Sequence, residues 1–193
     1  MPSARGQAFA QRWWLPRLAA WRERHPDIAI ELHTSQQIVD LPREGFHAAL
    51  RQGSGQWRGV EAERLLDSPL IAVGSPNAAR RLLGRGAAAL TDEPLLGAAP
   101  VWASWFALAG LSCRVNPVAN FNDAGLMLQA AEQDLGLALA RKVLVADVAA
   151  RRAADAFVAA RALEGPGLCA LVRLPDRPAR VAAAVCAARV AVR

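Results

Sequence analysis

Hydrophobic and polar positions first resolve into an element between Gln7 and Pro26, QAFAQRWWLPRLAAWRERHP. Phe9, Trp13 or Trp14, Leu18 and Trp21 form the apolar stripe of a helix laid on a sheet, with Arg12, Arg17, Arg22 and Arg24 on its other face. Pro16 is expected near the beginning of this helix, where an early turn accepts a residue without an N–H, and His25-Pro26 stops it. Ile28, Ile30 and Leu32 then alternate with polar or small residues, the period of a strand. Ile38 to Leu41 reads as a short helix closed by Gly45, and HAALRQ (47–52) as a strand. The apolar run from Leu70 ends in Ser75-Pro76, an N-cap and first residue for a helix that stops at Gly84. Trp102 and Trp105, three apart, face the same way on a helical turn, either into a core or with one ring lining a cleft. Asn122 or Asp123 caps the helix AGLMLQAAEQDLG, and LGLALA (135–140) is apolar throughout, a strand buried on both faces. The remainder reads as a helix (RKVLVADVAARRA), a strand (DAFVAARA), a turn at Gly165-Pro166-Gly167 and a strand (168–174). An amphipathic helix with Val181, Ala184, Val185, Ala188 and Val192 on one side closes the chain.

Helices and strands that alternate in this way predict an α/β fold of parallel sheets with helices on both faces. Two visits to one half, separated by an excursion to the other, predict two Rossmann-like lobes joined by two crossing strands. Such lobes turn several helix starts toward a shared cleft. Each start carries unpaired N–H groups and the positive end of a dipole, which suits a small anionic or zwitterionic molecule.

Composition narrows the function classes. The chain has 193 residues, 53% of them hydrophobic, enough for a sizeable core. No apolar run is long enough to span a bilayer, and MPSARGQAFAQRW has no secretory core, so a cytoplasmic protein with no membrane partner is expected. Cys113, Cys169 and Cys186 are far apart and do not cluster with His25, His33 and His47, which argues against a disulfide frame or a metal site. Cys169 and Cys186 read as core thiols. The net charge is +6, but the arginines are scattered at helical spacing and form no run dense enough to follow a phosphate backbone. Residues 1–6 lack the strand that a doubly wound unit places before its first helix.

Several of these segments together carry a resemblance. Phe9-Ala10-x-Arg12-Trp13, Pro16-Arg17-Leu18, Trp21 and the run from His25 to Leu32 resemble the opening of the effector-binding domain of LysR-type transcriptional regulators. The subgroup is that of the glycine-cleavage and β-lactamase regulators. Val39-Asp40-Leu41, Ala49-Leu50-Arg51 and Gly53-x-Gly55-x-Trp57-x-Gly59 follow in the family's order and spacing, with His47 where an aspartate is usual. Further on come Trp102-x-x-Trp105, Phe121-Asn122-Asp123, Gln129-Ala130-Ala131 and Leu135 to Ala140, with Asp134 in place of a glycine. The resemblance implies a periplasmic-binding-protein-like type II fold, with lobe I at 1–72 plus 172–193 and lobe II at 73–171. It also implies a homodimer (a higher oligomer in the full-length protein), a small-molecule effector, no cofactor, and DNA contact only through a winged helix-turn-helix that is not in this chain. Relatives often place a hydroxyl where Ala8 stands and an aromatic near Ala170, so no relative's effector is carried over.

By position the ligand-binding candidates are Gln7 and Ala8 at the first helix, Thr34, Ser35 and Gln36 after the strand, Arg51 with Gly53, and Phe121, Asn122 and Asp123. Arg51 has a fork that binds a carboxylate bidentately, and equally one that forms a salt bridge at a strand end. Thr34 also suits a turn, and Asn122 and Asp123 suit caps. Gly53-x-Gly55 is not a dinucleotide fingerprint, because Arg58 stands where the third glycine belongs. No GxSxG, P-loop, HExxH or CxxC occurs, so no catalytic residue is assigned and an enzyme is not expected. The alternatives are a transport solute-binding protein, which shares the two-lobed architecture, and a small α/β enzyme.

Overall fold

The computed structural model describes residues 5–35, 40–53, 57–151, 160–163 and 168–173. Gln36, Val39, Gly55, the turn at 165–167 and the closing helix lie outside the described residues.

One helical run opens the chain in three parts: α1 (Arg5–Phe9), a π-helical turn (Ala10–Trp14) and α2 (Leu15–Arg24). Pro16 stands in the first turn of α2, as expected, although that helix continues the run without a break. A mid-helix proline donates no hydrogen bond and its ring presses on the carbonyl one turn back. The wider π turn directly before it relieves that crowding. His25 ends the run, its N–H reaching the carbonyls of Trp21 (3.1 Å) and Arg22 (3.2 Å).

Residues 28–32, expected as the first strand, join no ladder among the described residues. Ile28 packs on the tryptophans of the helical run, while Ile30 and Leu32 are 37% and 47% exposed. Alternation supplies a strand's side-chain pattern, but the strand itself exists only where a second backbone pairs with it.

The first sheet has the order β1-β7-β2, from β1 (Ala48–Gly53), β7 (Leu168–Arg173) and β2 (Glu61–Asp67). Ser68-Pro69 carries the chain from β2 into β3 (Leu70–Val73) of a second sheet, whose order is β4-β5-β3-β6. There β4 is Leu95–Leu96, β5 Leu137–Arg141 and β6 Ala160–Leu163, from which the chain returns to β7. The chain thus changes sheet before β3 and again before β7.

The sheets are also less parallel than expected. Among the described residues only β4 and β5, with the isolated Leu96–Ala119 bridge, pair in parallel. The others are antiparallel. The passages explain this. Leu70 enters beside Arg141, at the end where β5 finishes, so β3 runs against β5. Asp67 leaves opposite Leu168, where β7 enters, so β2 runs against β7.

On the second sheet lie α3 (Pro76–Leu82), a 3-10 turn (Ala87–Asp92), α4 (Ala99–Leu108), α5 (Ala124–Glu132) and α6 (Lys142–Arg151). Ser75 caps α3 by accepting from the Ala78 N–H at 3.0 Å. Gly84 and Gly45 take the left-handed conformation at φ +73° and +75°. β5 is buried on both faces: Leu137 and Leu139 join Trp102, Trp105 and Phe106, while Ala138 and Ala140 join Val73, Leu96 and Leu128. Trp102 and Trp105 are thus core residues. Their indoles donate to the carbonyls of Leu96 (2.8 Å) and Leu70 (3.4 Å). A third core joins Trp13, Trp14 and Trp21 to Leu65 of the first sheet.

Candidate functional site

Strand direction decides where helix starts converge. β4 and β5 are parallel and the bridged residue Ala119 runs with them, so Gly97, Asn120 and Lys142 all leave the second sheet by one end. α4, α5 and α6 begin there. It is also the end at which Ser68-Pro69 delivers the chain to Leu70, next to Arg141. α3 starts at the far end, where Ser75 donates to Asp134. Three helix starts therefore face the passage between the sheets and one does not.

Two of the three are in direct contact. The Gly97 N–H donates to the Ala119 carbonyl at 2.8 Å, which sets the α4 start beside the lead into α5. Gly97 has φ +102°, and a Cβ there would come within 3.0 Å of the Met127 sulfur. Asp123 caps α5, its Oδ1 accepting from the Leu126 N–H at 2.9 Å. Its Oδ2 is buried without a hydrogen-bond partner among the described residues. The α6 start is capped from a distance: Ser68 Oγ accepts from the Val143 N–H at 2.9 Å.

The helical run at the beginning of the chain lies across this end. Ala8 is fully buried with Phe121, Leu128 and Val73. A Cβ on Gly125 would sit 2.9 Å from Asp123 Oδ1, 3.5 Å from Gln11 Oε1 and 3.9 Å from the Ala8 Cβ. The first turn of α5 and the first turns of the chain are thus packed together, and Ala8, Phe121 and Asp123 meet in one place. Gln7 and Asn122 flank them and are exposed. From the first sheet, Gly53 stands opposite Leu168, the residue at which β7 enters, and Arg51 lies two positions further in, opposite Ala170. Thr34 and Ser35 are exposed and follow the unladdered segment.

Residues that pattern did not single out complete the geometry. Gln11 and Ser68 are two. Arg12 and Glu132 are others, paired at 2.7 Å with side chains only 16% and 25% exposed. At the far end Asp134 takes φ +65° and accepts from Ser75 and Asn77, with Arg81 at 3.6 Å. The Ser75 hydrogen bond, helped by Asn77 and Arg81, holds the Asp134 carboxyl below its ordinary range. Arg81 is raised, chiefly by its hydrogen bond to Glu93. The Ser68-Pro69 pair carried a turn signal, but the pairing of Arg12 with Glu132 spans 120 residues and left none. Among the described residues no group of three or more His, Cys, Asp or Glu side chains could hold a metal ion, and no helix is long and apolar enough to cross a membrane.

Comparison with known proteins identifies the arrangement. Residues 6–190 match the LysR substrate binding domain. This chain belongs to that family. The LysR domain is 36% identical over 140 residues to the HTH-type transcriptional activator AmpR of Citrobacter koseri, covering 72% of this chain and 48% of that protein. Against AmpR of Pseudomonas aeruginosa it is 37% identical over 142 residues, covering 72% and 47%. The crystal structure of the effector domain of that regulator superposes with a TM-score of 0.77 at 31% identity, covering 96% of this chain and 93% of that one. The LysR domain thus spans about half the length of the curated relatives it matches. The fold is the two-lobed, periplasmic-binding-protein-like type II α/β fold, and within the family the domain is similar to the effector domains of the AmpR-like subgroup. The family is one of regulator domains rather than of enzymes.

Proposed function

We propose that this domain binds a small anionic or zwitterionic metabolite between its lobes, without turning it over, and thereby controls transcription. The observation that carries this reading is the convergence of the α4, α5 and α6 starts on the passage between the sheets. N–H groups and helix dipoles gathered at one place favour negative charge. Arg51 and Gly53 approach the same region from the first sheet, and Arg51 offers a fork for a carboxylate. Gln7, Thr34, Ser35, Gln36, Asn122 and Asp123 supply polar contacts, and Ala8 and Phe121 supply the apolar wall. Because Ala8 brings no hydroxyl, the ligand meets one anchor fewer than the family usually provides, and selectivity differs accordingly. The ligand favours one arrangement of the domain and so biases the geometry of a homodimer, and through it DNA binding by the regulator. The setting is the cytoplasm.

A panel of carboxylates, amino acids and short acidic peptides, read by melting temperature, tests this. A true effector at a hundredfold excess over its Kd adds about 2.7 kcal/mol of stability. The expected result is a shift that Arg51→Ala removes, with the compound recovered unchanged. Chemical conversion of the compound, or a shift indifferent to Arg51, overturns the reading.

A further inference from the structure

The two passages between the sheets are where a two-lobed domain hinges, since a few residues there absorb the change of angle. Here the first passage is held fast. Ser68 is 3% exposed, and the two residues Ser68-Pro69 receive three hydrogen bonds from the segment that opens α6. Arg141 Nη1 donates to the Ser68 carbonyl, Lys142 N–H to the Pro69 carbonyl and Val143 N–H to Ser68 Oγ, each at 2.9 Å. An opening helix usually takes its cap from the residue before it; this one takes it from 75 positions away, out of the passage itself.

A second tie lies elsewhere. Arg12 belongs to the π turn, whose tryptophans pack on Leu65 and Leu50 of the first sheet. Glu132 ends α5, which packs on the second. Their 2.7 Å pair, largely shielded from water, straps one lobe to the other. Val143 connects the ties, since it touches both the mixed core around Ala8 and the tryptophan core of the helical run.

We propose that Arg12, Glu132 and Ser68 form a latch that fixes the angle between the lobes, its two ties opening together. Rotation about Ser68-Pro69 displaces α6 from the passage and draws the π turn away from α5, so neither tie survives it alone. Releasing either one lets the domain sample a second lobe arrangement.

The test needs no ligand and is independent of the effector reading. Amide hydrogen exchange is followed by NMR in the 193-residue chain and in Glu132→Gln, which keeps size and removes charge. Loss of a charged hydrogen bond is expected to speed exchange about tenfold at Lys142 and Val143, the amides that hold the passage. Amides within α4, such as Phe106, stay at the parent rate. The charge-exchanged pair Arg12→Glu with Glu132→Arg restores slow exchange, and Arg12→Lys, which keeps the charge, gives an intermediate rate. Unchanged exchange at Lys142 and Val143 overturns the proposal. So does acceleration that includes α4 equally, since that is general destabilisation, or failure of the exchanged pair to restore the parent rate.

Discussion

Two tryptophan clusters serve the two ends of this molecule differently. In α4, Trp102, Trp105 and Phe106 pack with ring centroids 5.5 to 5.9 Å apart, and both indole N–H groups reach strand carbonyls. In the opening helical run, Phe9, Trp13, Trp14, Trp21 and His25 follow one another with ring centroids 4.7 to 6.2 Å apart, the first two pairs stacked and the last two tilted. There the indole N–H groups of Trp13 and Trp14 are buried without a hydrogen-bond partner among the described residues. Arg17 lies over the Trp13 ring at 5.0 Å. The first cluster belongs to one sheet and is fully satisfied. The second runs through the π turn into the helices on either side, bridges the sheets, and leaves two donors without a partner among the described residues. A buried donor without an acceptor costs free energy in whatever arrangement leaves it so. The opening helical run is therefore the less settled of the two regions in its own hydrogen bonding, even though its ties hold it in place.

The widest separation of the clusters comes from emptying one of them. Trp102→Ala removes a side chain that is 1% exposed, together with its hydrogen bond to Leu96, and should cost about 3–5 kcal/mol in a denaturant titration. Trp102 lies in the first turn of α4 but faces the core, and the proposed ligand contacts are other residues. At a temperature where the variant is folded, effector affinity should hold. Lost affinity at full folding would mean that the second-sheet core is not the passive scaffold described above.

A smaller effect tests how tightly that scaffold is filled. A Cβ at Gly74 would stand 2.7 Å from the Leu137 side chain and 3.1 Å from the Ala78 Cβ, both part of packed cores. Gly74→Ala should cost about 1–3 kcal/mol through displacement of α3 from β5. Gly86, with nothing within 4 Å of the same added atom and an unstrained φ, is the control: Gly86→Ala should be nearly neutral.

How much of this was legible in the sequence follows from the range of each interaction. Caps were legible, since Ser75 and Asp123 act three residues away. The buried strands β3 and β5 were legible as apolar runs, whereas the two-residue β4 was too short to show one. β2 was not legible, because Glu61, Glu63 and Arg64 hide a strand exposed along much of its length. Strand direction was not legible either, for periodicity has no sense of direction. Residues 28–32 show the converse: the pattern of a strand is there and its partner is not. At the candidate site, the start of α5 was read from Asp123, while α4 showed only in the spacing of Trp102 and Trp105. The cap that Ser68 gives α6 and the pair that Arg12 makes with Glu132 arise only in three dimensions.

The comparison sharpens when each cluster loses only its polar atom. Trp102→Phe deletes an indole that donates at 2.8 Å, whereas Trp13→Phe deletes one that donates to nothing described. Both lose similar apolar area, so the difference isolates the hydrogen bond. Trp102→Phe should be the more destabilising by about 1–2 kcal/mol in paired denaturant titrations. Equal losses would mean that the Trp13 donor is satisfied in solution, for instance by an ordered water, and the two regions would then be equally settled.

The smallest effect is a pH dependence at the far end of the second sheet. The Asp134 carboxyl is held below its ordinary range, first by the Ser75 hydrogen bond and then by Asn77 and Arg81. A carboxyl whose folded value lies below its unfolded value stabilises the fold above the unfolded value. That contribution is lost as pH falls from the ordinary aspartate range, about 4, toward the lowered folded value. Asp134→Asn keeps a residue that tolerates φ +65° and removes the charge. The variant should be slightly less stable than the parent at neutral pH, and the gap should close on acidification into that range. With a third of the Asp134 side chain in water, the gap should also shrink in added salt. The α5 to β5 turn and the start of α3 meet here away from the passage, so effector affinity and exchange at Lys142 and Val143 should not respond. A response in either would join the far end of the sheet to the junction, and the contrast between the two tryptophan regions would have to be redrawn.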